Sequence, residues 1–152
     1  MAVSARGLRC KVELLQYSSR IGLDLRASLP DRKTVLVVDD DPSTLRGLKR
    51  LLREHGFDTV LFESAEALRS HDDFEKAFCI IMDIDLNHES GIELWHELAD
   101  LGILLPVIYI TGNDTPTTRI AATQSGCLAY LTKPFLAKSL IEQIERASAG
   151  VG

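Results

Sequence analysis

Four apolar runs in this chain each end on a group that can do chemistry. Val35-Leu36-Val37-Val38 runs into Asp39-Asp40-Asp41, and Cys79-Ile80-Ile81-Met82 runs into Asp83. Ile108-Tyr109-Ile110 ends on Thr111, and Tyr130-Leu131-Thr132 ends on Lys133. Taken singly, the acidic pair or Asp83 reads equally well as a solvated strand end or a turn residue. Taken together they read differently, because three carboxylates converging on one edge repel one another unless a cation lies between them. Hard carboxylate oxygens suit Mg²⁺, which keeps several waters and completes its shell with phosphate oxygen. The hydroxyl of Thr111 and the ammonium of Lys133 are then partners for further phosphoryl oxygens. Such an inventory fits a site for a divalent cation and a phosphoryl group.

These groups converge only if the runs are parallel strands of one sheet, and the intervening sequence supports that. From Lys33 the chain alternates strand and helix signals. A strand at Val35–Val38 is followed by Pro42 at a first helical position, where its missing N–H costs nothing. Leu45, Leu48, Leu51 and Leu52 mark a helical face that Gly56 ends. Thr59–Phe62 reads as a second strand, and Ser64 caps a short helix to about Ser70. Phe78–Met82 is a third strand, and the helix after it, capped by Ser90, carries Ile92, Leu94, Trp95, Leu98 and Leu101. Pro106–Ile110 is a fourth strand. Asp114 or Thr115 caps the next helix, with Pro116 just inside, and Gly126 ends it. Leu128–Leu131 is a fifth strand, and a last helix presents Leu136, Leu140, Ile141 and Ile144. Five continuous apolar strands alternating with five helices imply a parallel sheet covered on both faces. Open sheets of this kind bind ligands outside the carboxyl ends of their strands.

The 152-residue length favours one domain, and 45% apolar residues suffice for its core. No stretch approaches the roughly 18 unbroken apolar residues of a membrane helix. Residues 1–32 read as a separate N-terminal extension, either partly helical, through Leu8, Val12 and Leu15, or flexible, with 33–148 as the domain and 149–152 as a tail. Glu13 and Asp24 argue against an organellar transit peptide, and no apolar segment suits a secretory signal. The extension holds six Lys/Arg and three Asp/Glu, so the net charge of −5 divides into +3 there and −8 in the remainder. An acidic body argues against nonspecific nucleic-acid binding. Cys10, Cys79 and Cys127 are odd in number and far apart; Cys79 and Cys127, in or beside predicted strands, read as small buried thiols, which fits a reducing cytoplasm.

The four terminating motifs, in this order and with Ser90-Gly91 following Asp83, resemble the signature of response-regulator receiver domains over about residues 33–148. Ser64-Ala65-Glu66-Ala67 and Ile110-Thr111-Gly112 are similar to receivers of the nitrogen-fixation-regulator type. The resemblance implies a flavodoxin/CheY-like doubly wound α/β fold with five parallel strands in order 2-1-3-4-5. It implies Asp83 as phosphoacceptor in a two-component phosphorelay, with the phosphoryl group coming from a sensor histidine kinase, a phosphotransfer protein or a small phosphodonor. Mg²⁺ would be held by Asp39, Asp40, Asp83 and the backbone carbonyl of Asp85. Thr111 would hydrogen-bond the phosphoryl group and Lys133 would pair with it. Thr111 and Tyr130 would form the switch, and Asp85 and Asn113 would tune the lifetime of the acyl phosphate. The output implied is partner binding, or a homodimer through the fourth helix, fifth strand and fifth helix. A protein of this kind is a cytoplasmic signalling receiver that catalyses only its own phosphorylation and dephosphorylation.

One departure stands out. Asn87 occupies the position, four after Asp83, where the family usually has proline, so a looser loop is expected over residues 85–90. His88 within it reads as a solvated residue. Two alternatives remain beside the receiver. Asp83-Ile84-Asp85 also resembles the D-x-D of haloacid-dehalogenase-type phosphatases, although Asn87 and the early position of Asp39-Asp40 fit that family poorly. A pseudo-receiver that binds partners without taking phosphate would have little use for the complete set of acidic, hydroxyl and ammonium groups.

Overall fold

The computed structural model describes residues 33–150, so Cys10 and the expected extension at 1–32 lie outside the described residues. Five strands form one parallel sheet: β1 Thr34–Val38, β2 Asp58–Phe62, β3 Ala77–Asp83, β4 Val107–Thr111 and β5 Ala129–Thr132. The helices are α1 Pro42–Glu54, α2 Ala65–Arg69, α3 Gly91–Asp100, α4 Pro116–Gln124 and α5 Ala137–Ser148. A 3₁₀ turn at Phe74–Lys76 leads into β3, and a two-stranded antiparallel ribbon, Asp85–Leu86 with Glu89–Ser90, precedes α3. The sheet order is β2-β1-β3-β4-β5.

The period of two along a strand divides the core. Val35 and Val37 of β1 pack on one side with Leu45, Leu48 and Leu52 of α1 and Leu140, Ile141 and Ile144 of α5. Leu36 and Val38 face the other side, with Leu68 of α2, Leu94, Trp95 and Leu98 of α3, and Ala122 of α4. Burial on both faces is why β1, β3 and β4 are apolar almost without interruption. The helix ends follow the expected chemistry. Asp41, Ser64, Ser90 and Thr115 cap α1 to α4 through their side chains, and Gly56, Gly102 and Gly126 have positive φ just past α1, α3 and α4. Of the two candidate caps for α4, the structure therefore uses Thr115.

Two residues assigned to apolar helical faces are not on them. Leu101 is 76% exposed because α3 has already ended at Asp100. Leu136 is 74% exposed because it is the extended cap preceding α5. The thiol of Cys79 is buried and burial pushes it up to about 12, whereas Cys127 is half-buried.

The order places a reversal between β1 and β3. The chain leaves β1 for β2 on one side, then crosses back to β3 on the other. The crevice outside the carboxyl ends of β1 and β3 is where such sheets hold ligands, and Asp39 and Asp83 stand there.

Candidate functional site

Register determines which groups meet. Val38 pairs with Met82, so Asp39 and Asp83 leave adjacent strands side by side. Asp83 pairs with Ile110 and Thr111 with Thr132, which brings the Thr111 hydroxyl and Lys133 to the same edge. Asp39, Asp83 and Thr111 are the buried polar residues of the described chain. Two matching turns orient the buried carboxylates. Asp39 Oδ1 accepts from the Asp41 N–H, and Asp83 Oδ1 accepts from the Asp85 N–H, both at 2.9 Å. The second oxygens face Lys133, whose Nζ donates to Asp83 Oδ2 at 2.8 Å and Asp39 Oδ2 at 3.1 Å.

The electrostatics are those of a crowded acidic site. Burial holds the Asp39 carboxyl above the usual carboxylate range, and the nearby Asp83 charge adds to this, against the opposing Asp41 N–H and Lys133. Burial also opposes the Lys133 charge, but hydrogen bonds to Asp83 and Asp39 outweigh it and raise the ammonium's pKa. Carboxylate oxygens of Asp39, Asp40 and Asp83 all lie within 4.8 Å of one another. Three hard oxygen donors so close, two of them on buried groups, fit a divalent cation such as Mg²⁺. Asp85, whose backbone carbonyl is the fourth expected ligand, lies in the ribbon, and its side chain accepts a long 3.5 Å contact from Thr111. Thr111 Oγ1 also accepts from the Asn113 N–H at 3.0 Å.

Residues 85–90 fold as the ribbon in place of the looser loop expected. Asn87 and His88 form its two-residue turn with φ of 45° and 70°, the left-handed pair such hairpins require. Proline, fixed near −65°, has no place at that turn. Asn87 also keeps an N–H that proline lacks, and it donates to Asp40 Oδ2 at 3.3 Å. Arg69 anchors the ribbon from α2, donating to Glu89 at 2.7 Å and to Glu97 of α3 at 2.9 and 3.0 Å. His88 is exposed at the tip.

Behind the site, α3 begins where only glycine fits. A Cβ on Gly91 would lie 2.4 Å from the Asp83 carbonyl oxygen and 3.1 Å from the Met82 side chain. The sequence spacing of Gly91 from Asp83 therefore reflects a close approach of backbone to backbone.

Comparisons with known proteins identify the family and the fold. Residues 35–145 match the response regulator receiver domain family. The chain belongs to that family. The receiver is 30% identical over 135 residues to the response regulator protein TmoT of Ectopseudomonas mendocina, covering 88% of this chain and 60% of that one. It is 34% identical over 115 residues to the transcriptional regulatory protein FixJ of Rhizobium meliloti, covering 76% and 56%. The chain thus spans little more than half the length of these curated relatives. The crystal structure of FixJ-N superposes with a TM-score of 0.68 at 33% identity, covering 77% of this chain and 94% of that one. A CheY-like receiver from Methanospirillum hungatei superposes at 0.69 and 26% identity, covering 78% and 95%. The fold is therefore the flavodoxin/CheY-like one, and the haloacid-dehalogenase reading is set aside.

Sequence reasoning had not found three contacts of the receiver: the Asn87 amide on Asp40, the Arg69 anchor, and a bond from the Tyr130 hydroxyl to Asp114 at 2.8 Å. The unusual Asn87 was a signal for the first. The other two join residues distant in sequence and left no local pattern.

Proposed function

We propose that this receiver takes a phosphoryl group on Asp83 in a Mg²⁺-dependent reaction, from a histidine kinase, a phosphotransfer protein or a small phosphodonor. The observation that carries this reading is the set of three carboxylates within 4.8 Å, two of them bridged by Lys133. Asp39, Asp40, Asp83 and the Asp85 carbonyl would hold the ion, which when bound supplies positive charge against the phosphoryl oxygens. The Asp83 carboxylate attacks phosphorus, a new O–P bond forms, and the donor leaves with the electron pair of the bond that breaks. Lys133 is already hydrogen-bonded to Asp83 and can turn one N–H to a phosphoryl oxygen. Thr111 offers its hydroxyl to another. Such catalysis is positioning and electrostatics, with little proton transfer to arrange. Asp85 and Asn113 would set the lifetime of the acyl phosphate by tuning how fast water attacks it.

The added charge of about −1.5 to −2 gives Thr111 and Lys133 a new partner. As Thr111 moves toward it, Tyr130 repacks and the α4–β5–α5 surface changes, for a partner or a second copy to read. We assign the receiver unit to residues 33–148 with a tail from 149, and the site of action to the cytoplasm. No described helix is long and apolar enough to cross a membrane.

Acetyl phosphate with Mg²⁺ should add one phosphoryl group to the intact mass, and chelation should prevent it. A wild-type chain that gains no mass under either condition, or from a histidine kinase, would be a pseudo-receiver and the proposal would fail.

A further inference from the structure

Helix α4 is held differently from its neighbours. Ala122 is its one buried residue, against three in α1, two in α2, five in α3 and four in α5. With so little apolar surface to fix it, polar contacts at its ends decide where it sits. The far end is pinned by Ser125, whose carbonyl accepts from the Trp95 indole at 3.4 Å and whose hydroxyl meets the Tyr109 hydroxyl at 3.1 Å. The near end is held by a closed triangle. Arg119 of α4 donates to Asp114 Oδ2 at 2.6 Å, Tyr130 of β5 donates to Asp114 Oδ1 at 2.8 Å, and the Arg119 guanidinium lies 4.9 Å from the Tyr130 ring centre. Both Asp114 oxygens are engaged, and each member touches the other two.

The triangle is wired to the acidic site. Thr111 accepts from the N–H of Asn113, the residue before Asp114. A shift of Thr111 toward Asp83 therefore pulls on the segment that carries the Asp114 carboxylate. Arg119 and then Tyr130 hold that carboxyl below its usual range, and burial followed by the Asp114 contact pushes the Tyr130 hydroxyl up to about 12.

We propose that Asp114 and Arg119 are positioning residues that latch Tyr130, and through it α4, in the setting where Thr111 is turned to Asp85 and the Asn113 N–H, which a phosphoryl group on Asp83 would draw it out of. This rests on the preceding assignment of Asp83 and Tyr130. A modification shifts a two-state equilibrium only by its difference between the states. The latch adds an ion pair, a charge-assisted hydrogen bond and a cation–π contact to one state alone. Each is small at an exposed position, but the three share the same side chains. Cutting the latch enlarges the switch-competent fraction, and apparent affinity for a phosphoryl mimic rises in proportion to that fraction.

The test is titration of the Mg²⁺-loaded protein with beryllofluoride, followed at the Thr111 amide by NMR. Asp114→Ala and Arg119→Gln should each tighten apparent binding by about two- to fivefold, and Tyr130→Phe, which loses only the hydroxyl bond, by less than Asp114→Ala. The Asp114→Ala/Arg119→Gln double variant should gain less than the product of the singles, because both cut the same contact. Mg²⁺ affinity by calorimetry should stay unchanged in the Asp114 and Arg119 variants. A merely structural role would lower thermal stability without tightening the mimic. Wild-type protein that binds beryllofluoride while the variants bind equally or more weakly overturns the latch alone. Wild-type protein that neither binds it nor takes phosphate overturns the Asp83 assignment and the latch with it.

Discussion

Asp39 is the most enclosed carboxylate of the described chain, and its positive partner, Lys133, is shared with Asp83. Its raised pKa means that folding favours its protonated form. A group shifted upward contributes stability that is full below its unfolded pKa and is lost as pH rises through its folded pKa. In metal-free protein, Asp39 should therefore become a growing liability above about pH 4, the ordinary range of the carboxylate. The measurement is urea unfolding in chelator at several pH values, wild type against Asp39→Asn. The variant should gain on the wild type as pH rises toward neutrality, and a constant difference would contradict the assignment. Asp39, Asp83, Thr111 and Lys133 were legible in the sequence because each closes an apolar run and strand register does the rest. Asp114 was weighed there only as a helix cap. Its partners lie five and sixteen residues away, and no local spacing rule joins a loop carboxylate to a tyrosine on the next strand.

At the scale of elements, the ribbon and the start of α3 set how Asp83 and Asp40 are presented. Asn87→Pro removes the N–H on Asp40 and demands a φ the turn cannot supply, so it should cost on the order of 2 kcal/mol. Hydrogen exchange should show the loss confined to residues 85–90, with Mg²⁺ binding weakened by calorimetry; unchanged protection there would contradict the ribbon. Gly91→Ala forces a methyl group against the Asp83 carbonyl and should cost about 1–3 kcal/mol by overpacking, read from the chemical-denaturation midpoint. A neutral Gly91→Ala would mean that α3 can retreat freely from Asp83. The strands were legible because burial on both faces makes them continuous apolar runs. Helix ends were less so: apolar periodicity carried past the real ends of α3 and α5 to Leu101 and Leu136, since hydrophobic spacing records a face and not where backbone hydrogen bonding stops. The ribbon escaped notice because two residues per strand are too few to show alternation.

At the scale of the whole receiver, one topological fact organises the rest. The reversal of strand order between β1 and β3 opens a crevice at the sheet's carboxyl edge, and the chain places acidic residues on both sides of it. The weakly buried α4 stands beside that edge, tied to it through Thr111, Asn113 and Asp114, so a change of charge at Asp83 has a short physical route to the surface. That route matters only if Asp83 is where the phosphoryl group lands. The most direct measurement is to treat the protein with acetyl phosphate and Mg²⁺, reduce the product with borohydride, which converts an aspartyl phosphate to homoserine, and map the peptides by mass spectrometry. The expected result is conversion at Asp83 alone, absent from Asp83→Asn and from chelated protein. Conversion at Asp39 or Asp40, or a phosphoryl group that persists in Asp83→Asn, would contradict it.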